Sequence, residues 1–144
     1  MIRYFLPLFF VSNFAVASLQ PVENSFEVDE CIKKFKDQNI DCLDKAITTS
    51  ENALNSTYQK KLNEISNFNP ENWWMGNKEQ KDEMLKNFKE NQRQWISYRD
   101  KYCSIALTQY QNSNHLGEVQ TSCELNMNKR RIDEIKMFSV SSDD

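Results

Sequence analysis

Two polar side chains, Gln92 and Arg99, interrupt an otherwise apolar stripe at helical spacing. The stripe alternates steps of three and four residues, as one face of a helix does, and consists of Leu85, Phe88, Gln92, Trp95, Arg99, Tyr102 and Ala106. Polar groups that face a core need partners or must reach its edge. The Arg99 guanidinium can pair with an acid of a neighbouring helix, such as Glu51 or Asp44, or stay exposed and bind a carboxylate in bidentate fashion. The internal pairing is favoured, for Arg99 and equally for Arg131.

Aromatic residues accompany this stripe. Trp95, Tyr98 and Tyr102 are predicted to pack in the core or at its edge, because aromatic side chains at helical spacing usually face the interior of a bundle. A platform for a ligand is the less favoured interpretation. Asp100 follows Arg99 directly and is expected to lie off the stripe, where it caps or pairs locally.

Two predicted loops carry residues suited to protein contact. The loop over residues 67–76 contains Trp73 and Trp74, and indoles in such places are frequent interface anchors. The alternative is a purely structural role, in which both indoles cover the end of the bundle. The loop over residues 111–117 carries His115, the single histidine of the chain, and an isolated loop histidine is usually just solvated.

Four cysteines in a small chain with an export signal predict two disulfides. Cys103 and Cys123 flank one predicted turn, so they can lie level across it, which leaves Cys31 to pair with Cys42. The pairing of Cys31 with either Cys103 or Cys123 remains open, because all four cysteines gather at one end of the predicted bundle. A zinc site is the alternative, but no CxxC or HxxxH spacing is present.

The composition argues against several classes of function. The chain has no Gly-rich phosphate loop, no nucleophile elbow and no metal-ligand spacing, and its one histidine makes a Ser/His/Asp set implausible. We therefore predict neither an enzyme nor a bound cofactor or metal. Nucleic acid is an equally poor partner, because its phosphates require a basic face and the whole chain has a net charge of −3.

The first residues are typical of a secretory signal peptide. Arg3 precedes an apolar stretch from Tyr4 to Val11, and the small-x-small triplet Ala15-Val16-Ala17 predicts cleavage before Ser18. The apolar stretch is too short for a membrane span, which needs about 20 residues. Cleavage removes one base, so the mature chain has 17 Lys+Arg against 21 Asp+Glu and a charge of −4. We expect a periplasmic or secreted protein with no membrane attachment.

Scarce glycine and proline favour helices over sheets. We predict an all-α, antiparallel three-helix bundle, with helices from about residues 41 to 65, 78 to 110, and 118 or 122 to 138, and a short helix over 26–35. The expected organisation is a signal peptide over 1–17, a flexible segment over 18–30, one domain over 31–138 and a disordered tail over 139–144.

The order of these motifs resembles the LprI-like lysozyme inhibitor family, once classified as a domain of unknown function. The likeness covers about Cys31 to Ile135 and is carried by Leu54-Asn55-x-x-Tyr58-x-x-x-Leu62, by Gln92-x-x-Trp95-Ile96-x-Tyr98-Arg99-Asp100-x-x-Cys103, and by Cys123 with Arg131 and Ile135 behind it. The chain departs from the family at Asn128, where a Thr is frequent, and in the turn over 114–117, where a Gly-Gly-Ser-like sequence is frequent. Contacts made at that turn therefore need not be shared.

The resemblance implies an exported, helical, disulfide-linked domain that in some members blocks lysozyme. We hypothesise that the protein binds a lysozyme-type muramidase of basic charge and occludes its cleft. His115 would then act as a charged plug near catalytic carboxylates, and Trp73 and Trp74 would serve as anchors. The alternative is a periplasmic or secreted interaction module without lysozyme inhibition. The sequence does not indicate an oligomeric state.

Overall fold

The computed structural model describes residues 21–140 and shows four α-helices connected by short turns. The helices are α1 (Phe26–Phe35), α2 (Ile40–Asn67), α3 (Lys78–Leu107) and α4 (Leu116–Met137). Single 3₁₀ turns lie in the three connections, at Lys36–Gln38, Pro70–Asn72 and Thr108–Tyr110. No strand is present in this part of the chain. The predicted all-α bundle with a short N-terminal helix is confirmed.

Local sequence explains where two helices begin. The Ser25 hydroxyl accepts a hydrogen bond from the Val28 N–H at 3.2 Å and caps α1. At the start of α3, the side chain of Asn77 accepts from the Gln80 N–H at 2.9 Å, while the Gln80 side chain accepts from the Asn77 N–H at 3.0 Å. This reciprocal capping box satisfies two backbone donors that helix geometry leaves unpaired.

The long helices α2, α3 and α4 form the bundle, and α4 packs most extensively against α2. The chain runs up along α2, down along α3 and up again along α4, because the connections between them are short. The main core lies between the three helices and buries Val22, Leu54, Trp95, Cys103, Cys123, Met127 and Ile135.

Each disulfide belongs to a different part of the core. Cys103–Cys123 joins α3 to α4 inside the main cluster, and Cys31–Cys42 joins α1 to the first turn of α2. The second disulfide packs with Val28, Leu43 and Leu125 in a smaller cluster. The favoured pairing is confirmed. Because all four cysteines are bonded, none remains as a zinc ligand.

Both ends of the described chain contact the bundle, at positions within the two segments, 18–30 and 139–144, that we predicted to be flexible. Residues 26–30 belong to α1, while Val22 and Val140 are buried. The Asn126 side-chain amide donates to the carbonyl of Asn24 at 2.7 Å and lies 3.3 Å from the carbonyl of Val22. Apolar burial and backbone hydrogen bonds thus order segments whose composition alone resembles a tail.

The predicted signal peptide over 1–17 and the last four residues of the predicted tail lie outside the described residues. Within residues 21–140, none of the helices combines the length and the apolarity needed to cross a bilayer. The predicted second helix also ends earlier than expected, since the α-helical hydrogen bonding of α3 stops at Leu107 and a 3₁₀ turn follows to Tyr110.

Mild reduction should open Cys31–Cys42 before Cys103–Cys123. Thiolate attack requires access to sulfur, and Cys42 is partly exposed, whereas Cys103 and Cys123 are only 3% and 0% exposed. Titration with dithiothreitol, trapping with iodoacetamide and peptide mass spectrometry will give the order. In guanidinium chloride the two bonds should be reduced at similar rates. First opening of Cys103–Cys123 in the native protein would contradict the prediction.

Candidate functional site

A buried hydrogen-bonded group surrounds Arg131 of α4, whose side chain is only 8% exposed. Its Nε donates to the Gln92 side-chain oxygen at 2.9 Å, and its Nη2 donates to the Asn91 side-chain oxygen at 2.6 Å. A third hydrogen bond, at 3.0 Å, runs from Nη1 to the carboxylate of Glu134. The polar interruption that Gln92 makes in the apolar stripe therefore receives a charged partner from the facing helix.

Arg99 of α3 is held in the same way, with a side chain 12% exposed. Its Nη1 donates to Asn128 at 2.9 Å and lies 3.9 Å from Glu51 of α2, while Nε and Nη2 donate to Asp100 at 3.1 and 3.0 Å. The Asn128 amide in turn donates to the Ser50 hydroxyl at 3.2 Å. Arg99 lies near one of the two predicted acids, Glu51, and bonds to Asp100, for which local pairing was expected, and to Asn128, which the pattern did not indicate.

Both guanidinium groups lie against Trp95. Their central carbons are 5.7 Å from the indole centroid for Arg99 and 5.6 Å for Arg131, within the range of a cation–π interaction. We name the set Gln92, Trp95, Arg99, Asn128 and Arg131 the central polar network. It connects α3 with α4 and, through Ser50 and Glu51, with α2. The hydrogen-bonded partners leave neither arginine placed as an exposed carboxylate receptor.

The remaining motif residues divide between core and surface. Leu54 is buried, and Tyr58 stacks on Phe88 with ring centroids 5.2 Å apart. Asn55 is exposed on α2. Tyr98 lies on the surface, where it is 55% exposed, and its ring centroid is 5.8 Å from that of Tyr102. Around α3 it lies about 100° from Arg99, on the far side of Trp95, which places it outside the apolar stripe.

The two indoles of the loop over residues 67–76 have different positions. Trp73 is half-buried, packs on Phe68 with centroids 4.7 Å apart, and donates from Nε1 to the Val140 carbonyl at 2.9 Å. Trp74 is 93% exposed, and Met75 beside it is 77% exposed. Trp73 thus covers the end of the bundle, while Trp74 and Met75 project from it. We call this projecting pair the apolar tip.

The backbone holds the apolar tip in one conformation. Met75 has a φ of 61°, in the left-handed region that costs non-glycine residues energy. The Gly76 N–H donates to the Trp73 carbonyl at 3.1 Å. A Cβ added at Gly76 would collide with the Pro70 carbonyl oxygen and would lie 2.8 Å from the Trp73 Cβ. Only glycine fits this close approach of two backbone segments.

His115 lies at the opposite end of the bundle from the apolar tip. It precedes α4, whose 22 residues end near Val140 and Trp73, so the two sites are separated by about 33 Å. The His115 side chain is 62% exposed, with Nδ1 2.7 Å from a carboxylate oxygen of Glu118. The other Glu118 oxygen accepts from the buried Asn39 amide at 2.8 Å. The structure therefore does not bring the predicted partner-binding residues together.

An exposed ion pair between Lys78 and Asp82 shifts the pKa values of both residues. The side-chain hydrogen bond from Lys78 to Asp82, aided by their opposite charges, raises the pKa of Lys78 and lowers the pKa of Asp82. Both residues lie in the first turns of α3 and contact neither the central polar network nor the apolar tip. Sequence reasoning missed Asn91, Ser50 and Glu134 as hydrogen-bond partners of the central polar network, because their spacing carries no signal of its own.

One protein-family model matches the chain, the lysozyme inhibitor LprI family, over residues 31–135. The chain belongs to the LprI lysozyme inhibitor family. No curated protein and no solved structure shows significant similarity to it. The span shared with LprI includes both disulfides, the central polar network, the apolar tip and His115. Val22 and Val140, which hold the ends of this LprI domain, lie outside the match.

Arg131→Ala should lower the free energy of unfolding by about 3 kcal/mol, because it leaves the buried Gln92 amide unpaired and removes the guanidinium from Trp95. Urea denaturation followed by tryptophan fluorescence will measure the loss. The control is Arg93→Ala, at an exposed position of α3, which should change the free energy of unfolding by less than about 0.5 kcal/mol. The double variant Gln92→Leu/Arg131→Met should recover part of the loss, since it leaves fewer polar atoms unpaired. Equal stability of Arg131→Ala and Arg93→Ala would refute a stabilising network.

Gly76→Ala should destabilise the protein by about 2 kcal/mol, because the new Cβ has to displace backbone. Gly117→Ala is the matched control. No atom lies within 4 Å of a Cβ there, and the residue belongs to α4, so alanine should be neutral or stabilising by up to about 1 kcal/mol. Thermal unfolding monitored by circular dichroism will compare them. A Gly76→Ala melting temperature equal to that of Gly117→Ala would show that the loop is not constrained as described.

Proposed function

We propose that this protein binds a lysozyme-type muramidase and inhibits it by inserting the apolar tip into its cleft. Membership of the LprI family supports an inhibitor-like function. The exposure of Trp74 is the observation that carries the choice of surface, because 93% of its area is left for a partner in the isolated chain. A projecting loop on a rigid bundle suits a concave cleft better than a flat helix face does.

The structure of the loop supports tight binding through the apolar tip. Indole side chains dominate many interface energies, since they bury a large area with few rotatable bonds. The constrained backbone at Met75 and Gly76, together with the Trp73 anchor on Phe68, keeps the tip in place before it meets a partner. Preorganisation of this kind lowers the entropy lost on binding.

Charge favours a basic partner. Cleavage before Ser18 would leave the protein with a net charge of 17 − 21 = −4. Opposite net charges accelerate encounter between proteins and disfavour wrong partners. We infer that the protein acts by contact and performs no reaction of its own, because its conspicuous polar side chains are consumed in the central polar network. Neither cofactor nor nucleic acid is part of this function.

The same proposal places the protein in the periplasm or outside the cell. Its support is the signal-like sequence over 1–17 together with two disulfides, which form and persist in oxidising compartments. An inhibitor in either place meets muramidases that arrive from outside.

His115 supports a second contact surface in the same class of function. It is exposed at the far end of the bundle, beside the carboxylate of Glu118. A protonated imidazole inserted into the cleft of a muramidase would be attracted to the catalytic carboxylates and would block access to them. The competing function is an interaction module that uses the apolar tip on another exported protein and leaves lysozyme unaffected.

Trp74→Ala should weaken inhibition by about thirtyfold, the loss expected for an interface hot spot of ~2 kcal/mol. The oxidised mature protein and its variants are to be assayed by the clearing of bacterial cell walls by several lysozyme types. Phe26→Ala is the matched control, because Phe26 is an aromatic residue that is 74% exposed and lies on α1, away from the tip. Circular dichroism must show unchanged helicity in both variants.

Each outcome of this assay selects one surface or one function. Selective loss with Trp74→Ala supports insertion of the apolar tip, whereas selective loss with His115→Ala moves the contact to the other end of the bundle. Equal losses with Trp74→Ala and Phe26→Ala would refute a localised tip. Absence of inhibition of every lysozyme type at micromolar protein would reject the inhibitor function in favour of the interaction module.

A further inference from the structure

An apolar groove of about 430 Å³ opens between α1, α2 and α4, and neither the apolar tip nor His115 contributes to its lining. It is lined by Ala46 and Ala53 of α2, by Leu125 and Ile132 of α4, and by the Cys31–Cys42 disulfide at one end. The volume falls within the range of ordinary small-molecule sites. We call it the lateral groove.

Small side chains on α2 keep the lateral groove open. Ala46, Ser50 and Ala53 follow one another in steps of four and three, so they lie on the same face of α2 and leave space in front of α4. Elsewhere in the bundle, large residues such as Trp95 and Met127 fill the corresponding space. Apolar surface left open to water favours a ligand that covers it.

The charged side chains at the rim of the lateral groove sum to one positive charge. Lys45 and Lys129 stand at its rim, and Glu27 pairs with Lys129 at 3.4 Å. Lys45 forms no ion pair with any residue in the described range. Two ammonium groups against one carboxylate leave one positive charge, which matches a single anionic group. The Ser50 hydroxyl accepts from Asn128 and keeps its own proton to donate.

We propose that the lateral groove binds a single-chain anionic amphiphile, of which a fatty acid is the simplest representative. The acyl chain lies along the alanines of α2 and the aliphatic residues of α4, where it removes apolar surface from water. The carboxylate lies at the rim against the Lys45 ammonium. The site is independent of the proposed inhibitor function, because it shares no residue with the apolar tip.

The test is calorimetric titration of the oxidised protein with decanoate, octanoate and decylammonium below their micellar concentrations. Decanoate should bind with one-to-one stoichiometry, and each methylene should strengthen binding by up to about fourfold, the value for complete burial. Decylammonium, with the same chain and the opposite charge, should bind several-fold more weakly. No binding of decanoate, or equal binding of both ions, would overturn the proposal.

Two pairs of variants locate the site. Ala53 is exposed at the mouth of the groove, so Ala53→Phe should block decanoate without disturbing the core, whereas Ser97→Phe on the exposed face of α3 should not affect it. Lys45→Gln should weaken binding by about two- to fivefold, the worth of an exposed ion pair, and Lys101→Gln should not. Unchanged binding by Ala53→Phe would place the ligand elsewhere and refute the lateral groove. Trp74→Ala should leave decanoate binding intact, which keeps this test separate from the test of inhibition.

Discussion

The contact of Arg99 and Arg131 with Trp95 is the interaction on which the rest of the fold depends. Two cations this deep in a small bundle are tolerable only because the indole and one hydrogen-bond acceptor at each guanidinium nitrogen replace the water that they lose. Hydrogen bonds are directional, so Gln92 and Asn128 fix the rotation and height of α4 against α3 more tightly than apolar packing alone does. Ser50 and Glu51 extend this register to α2.

The central polar network fixes the middle of the bundle, and different contacts order its two ends. At one end the disulfides attach α1 to α2 and α3 to α4. At the other end no disulfide is present among the described residues, and Trp73 takes that role by packing on Phe68 and bonding to Val140. The apolar tip is therefore mounted on an ordered support although it lies in a loop. A rigid, exposed apolar group is a useful feature in a protein that acts by contact, since little conformational entropy is lost on binding.

Most of the fold was predictable from local patterns. Helical periodicity and scarce glycine and proline indicated the helices to within a few residues, and the turn between Cys103 and Cys123 indicated the favoured disulfide pairing. The burial of Val22 and Val140 was not predictable in this way, because it depends on contacts with segments remote in sequence. Of the site, the sequence indicated that Gln92 and Arg99 need partners, and it suggested Glu51 for Arg99 and local pairing for Asp100. It did not indicate Arg131 as the donor to Gln92 or Asn128 as an acceptor from Arg99. Tyr98 was predicted in the core or at its edge from its helical spacing, and it lies at the surface beside Tyr102.

The sequence by itself determined the class of the protein: helices that bury one face, four cysteines that oxidise in pairs, an acidic surface and the ordered motif of the LprI family. These properties depend on residue type and on short-range spacing, which are visible in one dimension. Only the tertiary structure decided which of two adjacent indoles packs on the bundle, that both arginines turn inward, and that His115 and Trp74 lie at opposite ends. Those outcomes depend on which helix faces which and at what height, because side chains far apart in sequence supply the hydrogen-bond partners and the buried surface that settle them.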